Sequence, residues 1–141
     1  MGNIDFNTDQ LPLVVIKGTG KLGMDECKKQ CDGFEALMNK DARYVAIIDY
    51  SEGKLGITLE ISAYLAKWAI KYREAMARCS PVSAIVLSSR LVAAIVNPLL
   101  KVMNLPNPVK IFTSQNEALI WLRDTAKSRG LEIPATTKIS V

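Results

Sequence analysis

Four short runs of aliphatic, largely β-branched residues recur along the chain, and a segment of helical period follows each: residues 13–17 (LVVIK), 44–48 (YVAII), 83–88 (SAIVLS) and 109–112 (VKIF). Runs this short and this apolar read as strands buried on both faces. Strands separated by helix-length segments pair in parallel through right-handed crossovers. The expected fold class is therefore α/β, one domain of β-α-β-α-β-α-β-α order with a mostly parallel sheet of four to five strands. Residues 4–6 are the candidate for the fifth, at an edge. The domain is expected over 1–130, with 131–141 as a C-terminal tail.

The intervening segments carry their own signals. Residues 24–39 place Cys27, Cys31, Phe34, Leu37 and Met38 on one stripe, and Lys28, Lys29, Asp32 and Glu35 off it. A long helix is expected over 59–79, capped by Thr58 and stopped at Ser80-Pro81. Ile61, Leu65, Trp68, Tyr72 and Met76 form its inner stripe, and Glu74 and Arg78 stand four apart for an ion pair. Another helix is expected over 91–103. Ser114 with Glu117 three residues on is a capping box for the last helix, and Gly130 suits its C-terminal turn. Residues 18–23 and 51–56, each with glycines, read as loops.

The bulk numbers exclude several classes. The chain has 141 residues, enough for one core without staples. Its +4 net charge comes from 18 basic and 14 acidic residues that are interspersed along the chain, so no nucleic-acid surface is expected. No run reaches the length of a membrane span, and the first residues do not read as a secretion signal. Three cysteines in no extracellular context read as reduced thiols in a cytoplasmic protein. Histidine is absent, which removes nucleophile pairs built on it and the commonest general base. No enzyme, cofactor or metal site is expected.

One motif points elsewhere. Gly18, Gly20 and Gly23 form a G-x-G-x-x-G between a strand and a helix, and Asp49 ends the next strand. Glycines of that spacing let a backbone approach a pyrophosphate, and a later acid takes the ribose, so nucleotide binding is a third reading. Against it, Asp25 and Glu26 occupy the first helical turn, where they repel phosphate. Cys27 and Cys31 lie four apart, a spacing open to a metal, yet both fall on the apolar stripe, where free cysteine behaves as a small hydrophobe.

The segment 91–100 (LVAAIVNPLL) carries no charge. A helix on one face of a sheet buries only part of its circumference. The surplus apolar surface of Leu91, Val92, Ile95, Val96, Leu99 and Leu100 calls for a second subunit, a protein partner or an apolar ligand. Pro98 should kink or interrupt the helix.

The close of the chain carries a resemblance. Val109-Lys110-Ile111-Phe112, then Glu117-Ala118-Leu119 and Trp121-Leu122, is similar to the end of STAS-like domains of the SpoIIAA-like group, the anti-sigma-factor antagonist superfamily. The strand running into Asp49, Tyr50 and Ser51 resembles that group's second strand. The resemblance implies helices packed mainly to one side of the sheet and a regulatory, protein-binding role rather than catalysis. In that group a serine of an Asp-Ser-Ser-Gly stretch accepts phosphate. This chain has Ser51-Glu52-Gly53-Lys54-Leu55-Gly56-Ile57-Thr58 in that region, which leaves Thr58 and Ser51 as the candidate acceptors. The leading expectation is a STAS-like interaction module, as a homodimer, acting through residues 91–103. The alternative is a carrier of a small apolar ligand or lipid in a CRAL-TRIO-like pocket, with Trp68 and Tyr72 among its walls.

Overall fold

The computed structural model describes residues 2–79 and 82–134. Five strands and five helices follow one another: β1 (Asn3–Gln10), β2 (Leu13–Leu22), α1 (Met24–Asn39), β3 (Val45–Leu55), α2 (Leu59–Lys71), α3 (Arg73–Cys79), β4 (Ser83–Val86), α4 (Arg90–Met103), β5 (Val109–Phe112) and α5 (Gln115–Ser128). The sheet order is β1-β2-β3-β4-β5, antiparallel between β1 and β2 and parallel elsewhere. The α/β class, the five strands and the edge position of residues 4–6 are as expected.

That strand order dictates where the helices go. Each parallel strand is added on the same side of the one before, so right-handed crossovers all fall on one face. α1, α2, α3 and α4 cover that face, over Val14, Ile16, Ala46, Ile48 and Ile85. Only α5 is free of the rule, because no strand follows it. It folds back onto the other face, over Val15, Val45, Ile47, Ala84 and Val86. Leu131 and Ile133, the near part of the tail, pack into the same layer; residues 135–141 lie outside the described residues.

Several local expectations are corrected. Residues 18–22 are not a loop but the second half of β2, and residues 51–55 continue β3. The two strands pair onward through Thr19↔Glu52, Gly20↔Gly53, Lys21↔Lys54 and Leu22↔Leu55. The glycines serve close packing in this ribbon. A Cβ on Gly18 would stand 2.8 Å from the Tyr50 ring, and one on Gly53 would stand 2.6 Å from Leu22. Between Lys17↔Asp49 and Thr19↔Glu52 the register shifts, so Gly18 faces both Tyr50 and Ser51 across a bulge.

The helix expected over 59–79 is two. Tyr72 leaves helical geometry at φ −104° and ψ 12°, with its ring centroid 5.3 Å from that of Trp68. No proline or glycine explains the break; burial of Met76 and Cys79 directs α3 back toward the sheet. Arg78 pairs with Asp41 at 2.8 Å rather than with Glu74. α4 runs through Pro98 without interruption, since a proline removes one N–H and this one is exposed. Thr58 Oγ1 accepts from Ile61 N at 3.2 Å and Gly130 has φ +83°, as expected, and Ser114 Oγ accepts from Glu117 N at 3.3 Å, which is one half of the capping box expected there.

Candidate functional site

α4 divides the apolar residues expected to share one role. Its inner face carries Val96, Leu99, Leu100 and Met103, which line a cavity of about 190 Å³ between the sheet and helices α1 and α2. Val92 packs against the same core. Its outer face carries Leu91, Ile95 and Val102, which are 82%, 58% and 62% exposed. Residues 91, 95, 98 and 102 follow helical spacing, so Pro98 completes one outward stripe. The neighbouring α2 adds Leu59 and Ile70, which are 90% and 70% exposed.

The cavity is apolar over most of its wall. Ile48 and Ile85 form its floor from the sheet, and Trp68 and Ile61 close it from α2. Trp68 donates its indole N–H to Glu35 Oε1 at 2.9 Å, which fixes the ring against Phe34 and Tyr72. Tyr72 supports Trp68 and is not itself part of the wall. The polar groups cluster on one side. There the Tyr50 hydroxyl donates to Gln30 Oε1, and burial raises its pKa so that it stays a donor. Cys27 and Cys31 are on the same helix face as Gln30 and line the same wall. The thiol of Cys31 hydrogen-bonds to Cys27, which holds Cys27 below the ordinary thiol pKa and Cys31 above it.

A second polar cluster sits on the other face, midway along β3 where Asp49 pairs with Val86, the last residue of β4. Asp49 is 8% exposed and accepts from Ser51 N at 2.9 Å, Ser51 Oγ at 2.6 Å and Gln115 Nε2 at 3.2 Å. The Gln115 bond ties the strand to the first turn of α5. The carboxylate is thus engaged within the chain, away from the α1 terminus where the fingerprint reading placed a nucleotide. At that terminus Gly23 N–H donates to Glu26 Oε1 at 2.8 Å. Gly18 and Gly20 lie in a strand and Gly23 caps α1, so the three glycines form no loop around a phosphate.

The two candidate phosphate acceptors differ in setting. Ser51 is engaged with Asp49. Thr58 is exposed at the N-terminus of α2, next to the exposed Leu59. Among the described residues no group of three or more metal-ligating side chains converges, and no helix is long and apolar enough to cross a membrane. Sequence reasoning missed Tyr50 and Gln30. The available signal was Gln30 lying between Cys27 and Cys31 on one helix face, a polar group on an otherwise apolar stripe.

No family model matches the sequence, and no curated protein is significantly similar to it. Several solved structures are, among them the following two. An uncharacterized protein of the DUF3478 family with a SpoIIAA-like fold, from Shewanella loihica PV-4, superposes with a TM-score of 0.60 at 20% identity, over 86% of this chain and 93% of that one. The anti-sigma factor antagonist SpoIIAA in its unphosphorylated form superposes with a TM-score of 0.53 at 14% identity, over 93% of this chain and 100% of that one. The fold of this chain is SpoIIAA-like, as the STAS resemblance implied.

Proposed function

We propose that this chain is a regulatory protein-interaction module that docks proteins on the outward stripe of α4 and its neighbour α2, and that it forms a cytoplasmic homodimer through that stripe. The observation that carries the reading is the exposure of Leu91, Ile95 and Val102 along one helix face, with Leu59 and Ile70 also exposed on α2, which packs against α4. Apolar patches of this kind are uncommon on monomers that meet no partner. The solved antagonist of the same fold is named for its action on another protein, which supports a regulatory rather than a catalytic role. Thr58 is the acceptor the geometry favours over Ser51. A phosphate there would meet the free N–H groups of the first turn of α2, at the rim of the apolar stripe.

Sedimentation equilibrium tests the reading. The wild-type chain is expected to be dimeric, and Leu91→Lys and Ile95→Lys monomeric with unchanged far-UV circular dichroism, because both side chains point into solvent in the isolated chain; loss of the subunit contact should lower their thermal midpoint. A monomeric wild type rejects the homodimer, and variants that remain dimeric reject the stripe as its interface.

A further inference from the structure

Native interiors pack to the density of organic crystals, and voids larger than a water are few. The cavity beneath α4 departs from that rule at about 190 Å³. For scale, an engineered apolar cavity of about 150 Å³ stays dry and takes up benzene. The space is too small for a two-chain lipid and fits one ring with a short substituent. Its walls are aliphatic and aromatic, with Ile48, Ile85, Trp68, Val96, Leu100 and Met103 around it. No charged group of the opposite helices reaches into the apolar part; Glu35 is held by the Trp68 indole and Glu26 by the Gly23 backbone.

The polar side gives the cavity a direction. Tyr50 donates its hydroxyl to Gln30 Oε1, and this commits the amide oxygen. The N–H bonds of the Gln30 amide have no partner among the described residues and remain available as donors at the cavity wall. Pockets that bind small molecules combine these two traits, a mostly apolar wall and a few placed polar groups that fix orientation.

We infer that the space between the sheet and helices α1, α2 and α4 is a binding site for a small uncharged molecule, a single apolar ring or its aliphatic equivalent, bearing one hydrogen-bond acceptor that Gln30 receives. This site is independent of the outward stripe: the inner and outer faces of α4 share no side chain.

Acetophenone and ethylbenzene are matched probes, alike in size and differing in the carbonyl acceptor. Titrated into the full chain with labelled methyl groups, both should give saturable shifts at Ile48, Ile85, Val96 and Leu100. Methyls of Val15, Ile47, Leu122 and Ile133, on the other face at similar depth, should not move. Acetophenone should bind about fivefold more tightly than ethylbenzene, the worth of one hydrogen bond, with a Kd near or below about 1 mM. Gln30→Leu should abolish that preference and keep ethylbenzene binding. Val96→Phe, which fills the space, should abolish both; if that variant does not fold, the Gln30→Leu comparison still decides. Shifts that are linear in concentration or spread over both faces would overturn the site. A preference for acetophenone that survives Gln30→Leu would overturn the assignment of the acceptor to Gln30. The stripe variants Leu91→Lys and Ile95→Lys should bind both probes as the wild type does.

Discussion

The two faces of the sheet are packed by different means. On one face α5 lies alone and close, because the residues at the centre of its contact are Ala118, Leu122 and Ala126, all 0% exposed, while its larger Leu119 and Trp121 pack only partly buried at the margin. Two alanines eight residues apart let a single helix settle onto Val45, Ile47, Ala84 and Val86, and Ile133 closes the end of the layer. On the other face three helices bring Trp68, Phe34, Leu99 and Leu100, and these large side chains meet over the sheet without filling it. A helix that touches a sheet through small residues leaves no room. Helices held apart by aromatic rings leave a chamber. The contrast teaches that one sheet can carry a structural face and a receptive face, distinguished by side-chain size rather than by hydrophobicity.

Large-to-small substitutions should separate the faces most sharply. Leu122→Ala removes a fully buried side chain from the close layer and should cost about 3–5 kcal/mol in urea unfolding. Leu100→Ala removes a half-buried side chain that already borders empty space, and should cost about 1–2 kcal/mol. Equal costs would mean that the cavity wall is as tightly supported as the α5 layer, and the comparison would collapse.

The reverse substitutions sharpen it at a smaller scale. Ala126→Leu adds volume where none is free and should destabilise by about 1–3 kcal/mol. Val96→Leu adds a methylene beside the cavity and should change stability by less than about 1 kcal/mol. A costly Val96→Leu would mean the space is not accessible to a larger side chain, and would count against a ligand as well.

Much of this contrast was legible in the sequence, and the unread part has a physical cause. The strands, α1, the caps at Thr58 and Ser114 and the class of fold follow from periodicity and local chemistry, which one segment carries by itself. The glycines of β2 and β3 misled because a glycine marks a loop and a close approach alike; Tyr50 lying over Gly18 is a tertiary fact. The break at Tyr72 is also tertiary. For the site, the apolar residues of α4 read as one set. The sequence could not divide Val96, Leu99 and Leu100 from Leu91 and Ile95, because a helix that is apolar nearly all round does not say which side faces the sheet.

The polar anchors should give a smaller difference. Gln115→Ala removes one of the donors to Asp49 and loosens the joint between β3 and α5, for about 1 kcal/mol. Gln30→Ala takes from the Tyr50 hydroxyl the one partner it has among the described residues, at the cavity wall where it can turn toward the open space, and should cost less than Gln115→Ala. If Gln30→Ala is the costlier, the amide is a structural strut rather than a receptor group.

The smallest expected effect leaves stability alone and reads the receptive face through its thiols. Alkylation by iodoacetamide needs the thiolate. Cys27 is half-buried on the cavity wall, and its pKa lies below the ordinary thiol value chiefly because Cys31 donates a hydrogen bond to it, with burial opposing and the Lys28 charge assisting. Cys31 is buried and raised by the same bond and by burial. Cys27 should therefore be labelled first, and its rate should climb with pH to a midpoint below that of a free thiol. Cys31→Ala removes the donor, so the Cys27 thiolate loses its stabilisation and the midpoint should move up. Any extra access the smaller side chain allows eases desolvation and would lower the midpoint, so a rise reports the lost hydrogen bond. Lys28→Gln should move it in the same direction by less, since the charge is the lesser cause. A midpoint that stays in place in Cys31→Ala would show that the two thiols are neighbours on α1 without being partners, and Cys27 would then report burial alone.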